Sequence, residues 1–202
     1  MKLYYTPGAC SLSPHIALRE AGIAFDLEQV DLGTKRTKGG ADYKAINGKG
    51  SVPALQLDDG QVLTEGSAIV QYIADRAPEK KLAPPAGAID RYRLQEWLNY
   101  VASEMHKGFS PLFNSKASEE WKQVVKDNLA AKFDFLSKKL DKGTYLMGDT
   151  YSVADGYLFT ILTWAKPMGI DLAKWPALKA YSDRVAKRPA VQAALKAEGL
   201  AN

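Results

Sequence analysis

Residues 2–14 read KLYYTPGACSLSP, and this stretch decides the fold of the first part of the chain. Lys2–Thr6 has the composition of a short strand, which a Pro-Gly pair stops. A helix is predicted next, with Ser13 as its N-cap, Pro14 at its first position and Gly22 at its end. A strand that runs through a short loop into a helix is typical of an α/β domain.

More strand and helix signals follow this start. Phe25–Leu32 alternates like a strand, and Val52–Leu57 with Gln61–Leu63 flank an Asp-Asp-Gly turn that is typical of a hairpin. A helix is then predicted from Gly66 to about Ala77. Four strands with helices along one face predict a small α/β domain over residues 1–80.

The remainder of the chain has helical periodicity only. APPAG at residues 83–87 has the composition of a linker. SVAD at residues 152–155 resembles a capping box that opens an almost wholly apolar helix. Two further helices are predicted to start at Trp175-Pro176 and Arg188-Pro189. We therefore predict an all-α domain over residues 88–202. Two apolar stripes support it: Leu94, Trp97, Leu98, Val101 and Met105, and Val125, Leu129, Phe133, Leu136 and Leu140.

Composition and charge exclude several classes of protein. The 202 residues are 46% hydrophobic and 25% charged, as in ordinary globular proteins. The net charge of +4 is spread among acidic residues, without the basic stripe of a nucleic-acid-binding protein. One cysteine and two histidines leave no metal-ligand spacing. The most apolar stretch, Tyr157–Ala165, is too short to cross a bilayer. We expect a cytoplasmic protein without a metal, a nucleic-acid partner or a membrane partner.

Cys10 is the first candidate for chemistry. It lies just before a helix N-terminus, where the helix dipole and free backbone N–H groups are expected to lower the pKa of its thiol. The Cys-x-x-Ser spacing to Ser13 is also what remains of a Cys-x-x-Cys redox motif after loss of the second thiol. The alternative is a small apolar residue that is buried and inert.

Other positions offer ligand chemistry, each with a plainer alternative. Pro53 is either an edge-strand proline or a cis proline that turns the Val52 backbone towards a ligand. The helix start at Gly66 suits a carboxylate and Glu65 suits an ammonium group, although acids commonly cap helices. Lys35 lies in a basic loop that is otherwise solvated surface. Together with the thiol, these groups match a zwitterionic peptide that carries a thiol.

The order and spacing of the motifs resemble the bacterial beta-class glutathione transferases over essentially the whole chain. The resemblance implies a thioredoxin-like domain followed by a helical domain that carries the electrophile pocket. It also implies a cytosolic homodimer that binds glutathione, γ-Glu-Cys-Gly. The motifs are KLYYTPGACSLSPH at 2–15, VP at 52–53, LTEG at 63–66, EWLN at 96–99, EMHKG at 104–108 and SVAD at 152–155.

The same resemblance assigns contacts with glutathione in the first domain. The Val52 main chain, before a cis Pro53, would pair with the cysteinyl unit like a short added strand. Lys35 would meet the glycyl carboxylate. Glu65 would meet the γ-glutamyl ammonium group, and the N–H of Gly66 its carboxylate. Gly66 departs from the pattern of many members, which carry a serine hydroxyl at this place.

The second domain would complete the site. Cys10 and His106 would be the catalytic residues and would also contact glutathione. Asn99, Ser103 and Glu104 would add contacts, some of them from the partner subunit. The i, i+4, i+7 spacing of Asn99, Ser103 and His106 predicts that they share one helix face.

Three functions follow from the residues and the resemblance. The first is an enzyme that conjugates the thiolate of glutathione, its co-substrate, to small aromatic or halogenated electrophiles. The second is a glutathione-dependent thiol transferase or reductive dehalogenase that acts through a mixed disulfide at Cys10. The third is a non-catalytic binding protein that keeps only the fold, which the presence together of Cys10, Lys35, Glu65 and His106 argues against.

Overall fold

The first part of the chain forms a five-stranded mixed sheet. The computed structural model describes residues 1–200, so the last two residues of the predicted helical domain lie outside the described part. The strand order is β3-β2-β1-β4-β5, with β1 and β2 parallel and the other pairs antiparallel. The strands are β1 Lys2–Tyr5, β2 Asp26–Asp31, β3 Arg36–Thr37, β4 Ala54–Gln56 and β5 Val62–Thr64.

The structure corrects two details of the predicted first domain. A fifth strand, β3, pairs with the end of β2 inside the basic loop, where two residues are too few to show a periodicity. The first helix begins at Leu12 with Ser11 as its N-cap, so Ser13 lies inside the helix. Ser11 hydrogen-bonds with Thr6, which closes the loop ahead of the helix.

Helices account for the regular structure beyond the sheet. The first domain contributes α1 Leu12–Ala21, α2 Tyr43–Ile46 and α3 Gly66–Asp75, with a 3₁₀ turn at Pro78–Lys80. The second contributes α4 Ile89–Tyr100, a π-helical segment Val101–His106, α5 Lys107–Phe109, α6 Glu119–Leu140, α7 Val153–Leu162, α8 Pro176–Ala186 and α9 Pro189–Ala197, with 3₁₀ turns at Ser110–Phe113 and Leu172–Lys174. The predicted starts of the last two helices are confirmed.

Helix α7 lies at the centre of the second domain, as its apolar sequence predicts. All ten of its residues are buried. The predicted capping box is present, and in it the backbone N–H of Ser152 donates to Asp155 at 2.8 Å. Outside the box, the same carboxylate accepts from the backbone N–H of Leu146 at 2.9 Å. The hydroxyl of Tyr181 adds a third at 3.0 Å. This buried carboxylate therefore ties three segments together.

The two parts of the chain pack through helix α1, which contacts α3 of its own domain and α7 and α9 of the other. Eight of its ten residues are buried. The loop before α1, which carries Cys10, is consequently held against the helical domain. Within residues 1–200, no helix is both long and apolar enough to cross a membrane. The boundaries 1–80 and 88–202 stay a prediction.

Candidate active site

A cavity of about 690 Å³ lies between the sheet domain and the helical domain. One side is formed by the loops that follow β1 and β5 and the loop that precedes β4, and the other by the π-helical segment and the segment after α7. Its lining includes Pro7, Gly8, Cys10, Leu32, Val52, Pro53, Glu65, Gly66, Ala102, His106, Lys107, Ser110, Phe113, Tyr157, Trp164, Pro167 and Met168. The sheet side therefore offers a thiol, a carboxylate and backbone groups, and the helical side carries the aromatic rings of Phe113, Tyr157 and Trp164.

Cys10 lines the cavity, and its thiol donates a hydrogen bond to the carbonyl oxygen of Val52, with Sγ and O 3.2 Å apart. Burial raises the pKa of Cys10 to about 11. The backbone N–H groups of Cys10 and Ser11 and the charge of Lys107 oppose this shift without overcoming it. The expected low pKa is thus wrong for the free protein, because lost solvation of the thiolate outweighs the helix N-terminus.

The peptide bond between Val52 and Pro53 is cis, as one of the two sequence alternatives requires. Both residues line the cavity. Helix α2 supports this turn, because the Tyr43 hydroxyl and the Asn47 amide both donate to the carbonyl of Ser51, at 2.9 and 2.8 Å. The main chain of Val52 is held at the cavity wall by these contacts and by the thiol of Cys10.

His106 is paired with Tyr157. Its Nδ1 lies 2.8 Å from the Tyr157 hydroxyl, and burial, aided by the charge of Lys107, lowers the pKa of His106 to about 4. Burial also raises the pKa of Tyr157 well above its ordinary value. At neutral pH the two groups are uncharged and hold two polar protons, one of which occupies their mutual hydrogen bond. The second remains on His106 Nε2 or on the Tyr157 oxygen and can be donated.

Aromatic side chains form the helical wall of the cavity. The indole ring of Trp164 meets the imidazole of His106 edge-on, with ring centres 5.1 Å apart, and the ring of Phe113 at 5.2 Å. The indole N–H donates to the carbonyl of Gly8 at 2.8 Å, which joins this wall to the Cys10 loop. Such a surface suits a flat, apolar compound.

Two charged side chains line the cavity within the described residues, Glu65 and Lys107. The carboxylate of Glu65 is exposed and accepts a hydrogen bond from the Nζ of Lys49. Lys107 follows His106 directly and is the one lysine or arginine among these lining residues. Its positive charge favours the ionised form of a thiol that binds near Cys10.

Several sequence motifs named above are accounted for by one protein family. The family model described as "Glutathione S-transferase, N-terminal domain" matches residues 8–76, and "Glutathione S-transferase, C-terminal domain" matches residues 100–189. The chain belongs to the glutathione S-transferase family. The enzyme assignment and the thioredoxin-like plus helical fold implied by the resemblance are confirmed.

Relatives of known name agree with the family. Glutathione S-transferase GstA of Escherichia coli O157:H7 is 50% identical over 200 residues, which cover 99% of this chain and all of that protein. A sphingomonad glutathione S-transferase complexed with glutathione is 49% identical with a TM-score of 0.97, covering 100% of both chains. The bacterial beta-class glutathione S-transferase of Sphingomonas chungbukensis is 49% identical with a TM-score of 0.96, covering 99% of this chain and 100% of that one.

The structure of this glutathione S-transferase brings most of the predicted first-domain residues together. Cys10, Val52, Pro53, Glu65 and Gly66 line the cavity with His106. Lys35 lies beside the lining, with its Nζ 2.8 Å from the carbonyl oxygen of Gly50. At Gly66 a Cβ would be 3.9 Å from Pro53 and Tyr157, so the space for a serine is present although its hydroxyl is not.

The predicted common face of Asn99, Ser103 and His106 is wrong. His106 points into the cavity, whereas Asn99, Ser103 and Glu104 are exposed and lie outside its lining. The backbone gives the reason, because residues Val101–His106 form a π-helix, whose wider turn rotates His106 away from the side of Asn99. Ser103 donates to the carbonyl of Asn99, and Glu104 pairs with Lys132.

Among the cavity residues that were not predicted from the sequence as part of a site, three carry a polar hydrogen or a charge that the site uses: Tyr157, Trp164 and Lys107. Tyr157 and Trp164 belong to the apolar stretch assigned to the domain centre, where an aromatic residue is expected to be core. The tyrosine hydroxyl and the indole N–H, which need partners when buried, were the available signal. Residues 1–200 contain no cluster of three or more metal-ligating side chains.

Proposed function

We propose that this glutathione S-transferase conjugates glutathione to small, flat electrophiles, aromatic or halogenated. The cavity carries this proposal, because its sheet side offers Cys10, Val52, Glu65 and Gly66 to a peptide while its helical side offers Phe113, Trp164 and Met168 to an apolar ring. The two reactants would lie side by side, as bimolecular transfer needs.

Activation of the thiol would rely on hydrogen-bond donation and charge. An imidazole with a pKa of about 4 is a poor base for a thiol, so His106 would not take its proton at neutral pH. The proton would pass to solvent, and the thiolate would be stabilised by the donor of the His106–Tyr157 pair and by Lys107. The sulfur then attacks the electrophilic carbon, and the leaving group departs with the electron pair of the broken bond.

Glutathione itself would be held by its charged ends. Glu65 and the N–H of Gly66 would bind the γ-glutamyl group, Lys35 the glycyl carboxylate and the Val52 main chain the cysteinyl unit. Lys49 already pairs with the Glu65 carboxylate. The ammonium group of glutathione would therefore share this carboxylate with Lys49 or displace Lys49 from it. Asn99, Ser103 and Glu104 lie outside this cavity, and we propose that in a homodimer they reach the glutathione of the partner subunit.

The test of conjugation uses 1-chloro-2,4-dinitrobenzene as the aromatic probe. The wild-type protein should form the dinitrophenyl conjugate with glutathione, and Trp164→Ala should raise the KM for the probe more than the KM for glutathione. Exposed Trp121→Ala is the matched control and should behave as wild type. No conjugation by pure, folded wild-type protein would contradict the proposal.

Thiol transfer is a second candidate, because the single cysteine lines the cavity. The thiolate form of Cys10, a small fraction at neutral pH, would attack the glutathione sulfur of a mixed disulfide between glutathione and another thiol. This forms the Cys10–glutathione disulfide and releases the other thiol as its thiolate. A glutathione thiolate would then attack that disulfide, regenerate Cys10 and release glutathione disulfide. Reductive dehalogenation would share this mixed disulfide: glutathione would first displace the halide, and the Cys10 thiolate would then attack the glutathione sulfur of the aryl conjugate. The aryl carbon keeps the electron pair of the broken C–S bond and takes a proton, so the two thiols supply the two electrons. Comparing conjugation with disulfide exchange in Cys10→Ala separates the two reactions, since only exchange requires the cysteine thiol.

Assembly and location complete the proposal. The exposed face of α4 carries Ile89 and Tyr92, which are 69% and 58% exposed and would be covered in a homodimer. Light scattering at micromolar concentration should give twice the chain mass of 22.1 kDa, and a mass near 22.1 kDa would contradict the dimer. A lone free thiol fits the reducing cytoplasm, where we place the enzyme.

A further inference from the structure

Gly8, two residues before Cys10, is tied to the helical domain by both of its backbone groups. Its N–H donates to Oε2 of Glu198 at 2.9 Å, and its carbonyl accepts from the indole of Trp164 at 2.8 Å. Gly8 lines the cavity and has a φ of +71°, a conformation that a residue with a side chain rarely adopts. The position of the Cys10 loop thus depends on contacts from distant parts of the chain.

Glu198 lies just beyond α9, 190 residues from Gly8, and its side chain is fully buried. Its other oxygen, Oε1, lies 2.7 Å from Nδ1 of His15 in α1. The Nε of Arg19 donates to Nε2 of His15 at 2.9 Å. Because an arginine N–H can only donate, Nε2 of His15 accepts and its proton is on Nδ1, which donates to Glu198. The Glu198 carboxylate therefore accepts two N–H groups, one per oxygen.

We propose that Glu198 is a positioning residue of the active site: it holds the Cys10 loop in its reactive place from the C-terminal end of the chain. It touches neither reactant and acts through the N–H of Gly8. Of the acidic and amide side chains, only a carboxylate offers two accepting oxygens. Both donors point at this fully buried carboxylate, and an N–H that loses its partner there is costly. The part of this proposal that concerns catalysis rests on the proposed function.

The chain supplies a matched control. Glu20 at the end of α1 accepts two hydrogen bonds from Arg188, the N-cap of α9, with Nη2 and Oε2 2.8 Å apart. Both glutamates join α1 to the C-terminal helix region, and Glu20 is only 11% exposed. Glu20 does not touch the Cys10 loop. Glu198→Gln and Glu20→Gln therefore remove similar charges, but only Glu198→Gln leaves a single accepting oxygen for the two N–H donors of Gly8 and His15.

The first measurements need no glutathione. In Glu198→Gln the hydrogen exchange of the Gly8 amide and the alkylation of Cys10 by iodoacetamide should each become about tenfold faster, as expected for loss of one hydrogen bond to a charged group. In Glu20→Gln both rates should stay within about twofold of wild type, because this substitution lies away from the Cys10 loop. Glu198→Asp keeps two accepting oxygens and should give intermediate rates. Thermal unfolding of all three variants separates loop effects from general loss of stability.

Catalysis gives the second readout. In Glu198→Gln, kcat for conjugation should fall about tenfold with little change in the KM for glutathione, because orientation is lost while the binding groups remain. Unchanged loop rates in Glu198→Gln, or equal rates in Glu198→Gln and Glu20→Gln, would overturn the proposal. A wild-type protein that shows no conjugation would contradict the proposed function alone, since the loop measurements do not depend on it.

Discussion

The hydroxyl of Tyr157 and Nδ1 of His106 form a 2.8 Å hydrogen bond inside the cavity that holds Cys10. Tyr157 comes from the buried centre of the helical domain, whereas His106 ends the π-helical segment. The pair is uncharged at neutral pH and always leaves one proton to donate. The donor is His106 Nε2 or the Tyr157 oxygen, depending on which of the two groups donates in their shared hydrogen bond, and our proposal gives this donor the thiolate of glutathione as its partner.

Tyr157→Phe removes the hydroxyl and keeps the ring. We expect kcat for conjugation to fall about tenfold to a hundredfold, since one oriented donor is lost or misdirected, while the KM for glutathione changes little. Steady-state kinetics with the dinitrobenzene probe measure this. Tyr72→Phe, at a partly buried tyrosine outside the cavity lining, is the control. An unaltered kcat in Tyr157→Phe would refute the role of the pair.

The thiol of Cys10 should ionise only at high pH. With a pKa of about 11, its alkylation by iodoacetamide should rise about tenfold per pH unit from pH 7 to 10, because the thiolate alone reacts. An ordinary cysteine levels off near pH 8.5. A plateau at or below that pH would show that burial does not govern this thiol.

The same shift has a consequence for stability. The pKa of Cys10 is higher in the folded state than in the unfolded chain. The stability that the neutral Cys10 thiol contributes to the folded protein is therefore fully present below about pH 8.5 and is lost as pH rises towards 11. Urea unfolding of wild type should therefore lose stability over this window more steeply than Cys10→Ser. Parallel pH profiles for the two proteins would contradict the raised pKa.

Removal of charge at Glu65 or Lys35 should weaken glutathione binding without unfolding the protein. Glu65→Gln and Lys35→Gln are each expected to raise the KM for glutathione about tenfold, since each deletes one charged hydrogen bond to the ligand. Lys38→Gln, in the same loop as Lys35, is the control. Wild-type affinity in both variants, measured by calorimetry, would show that the ligand lies elsewhere.

The carboxylate of Asp155 should matter for stability and not for chemistry. Asp155→Ala leaves the N–H groups of Leu146 and Ser152 and the hydroxyl of Ser152 without their buried acceptor. The Tyr181 hydroxyl keeps only the backbone carbonyl of residue 155, at 3.3 Å. We expect a loss of about 3 kcal/mol in the free energy of unfolding. Exposed Asp127→Ala should cost less than about 0.5 kcal/mol. Urea denaturation compares the two, and equal stabilities would show that the capping box is dispensable.

The sequence predicts the fold well where a pattern extends over many residues. The apolar run after Ser152, the hairpin around Gly60 and the prolines at 176 and 189 each combine a period with a turn or cap signal. Strand β3 and helix α2 are too short to produce a period, and both depend on contacts with neighbouring segments.

The site is predictable only in part, for two physical reasons. Residues in loops at strand ends, such as Cys10 and Pro53, converge on the cavity because the sheet topology brings them there. The charge state of Cys10 follows from burial, which no local motif contains, so the helix N-terminus alone gave the wrong direction for its pKa. Tyr157 was hidden among core residues, because it lies in a buried apolar helix and its hydroxyl is the one polar group of its side chain.

The π-helical segment Val101–His106 also limits which insertions and deletions the chain can accept. A π-turn holds one residue more than the α-turn it replaces, so deletion of a single residue between 101 and 105 would restore a regular α-helix. His106, the last residue of the segment, would then be turned away from Tyr157, and Lys107 would shift with it. The orientation of His106 is therefore set by the number of residues in the π-helical segment and not by its side-chain rotamer. A substitution at position 106 could not restore this orientation after such a deletion.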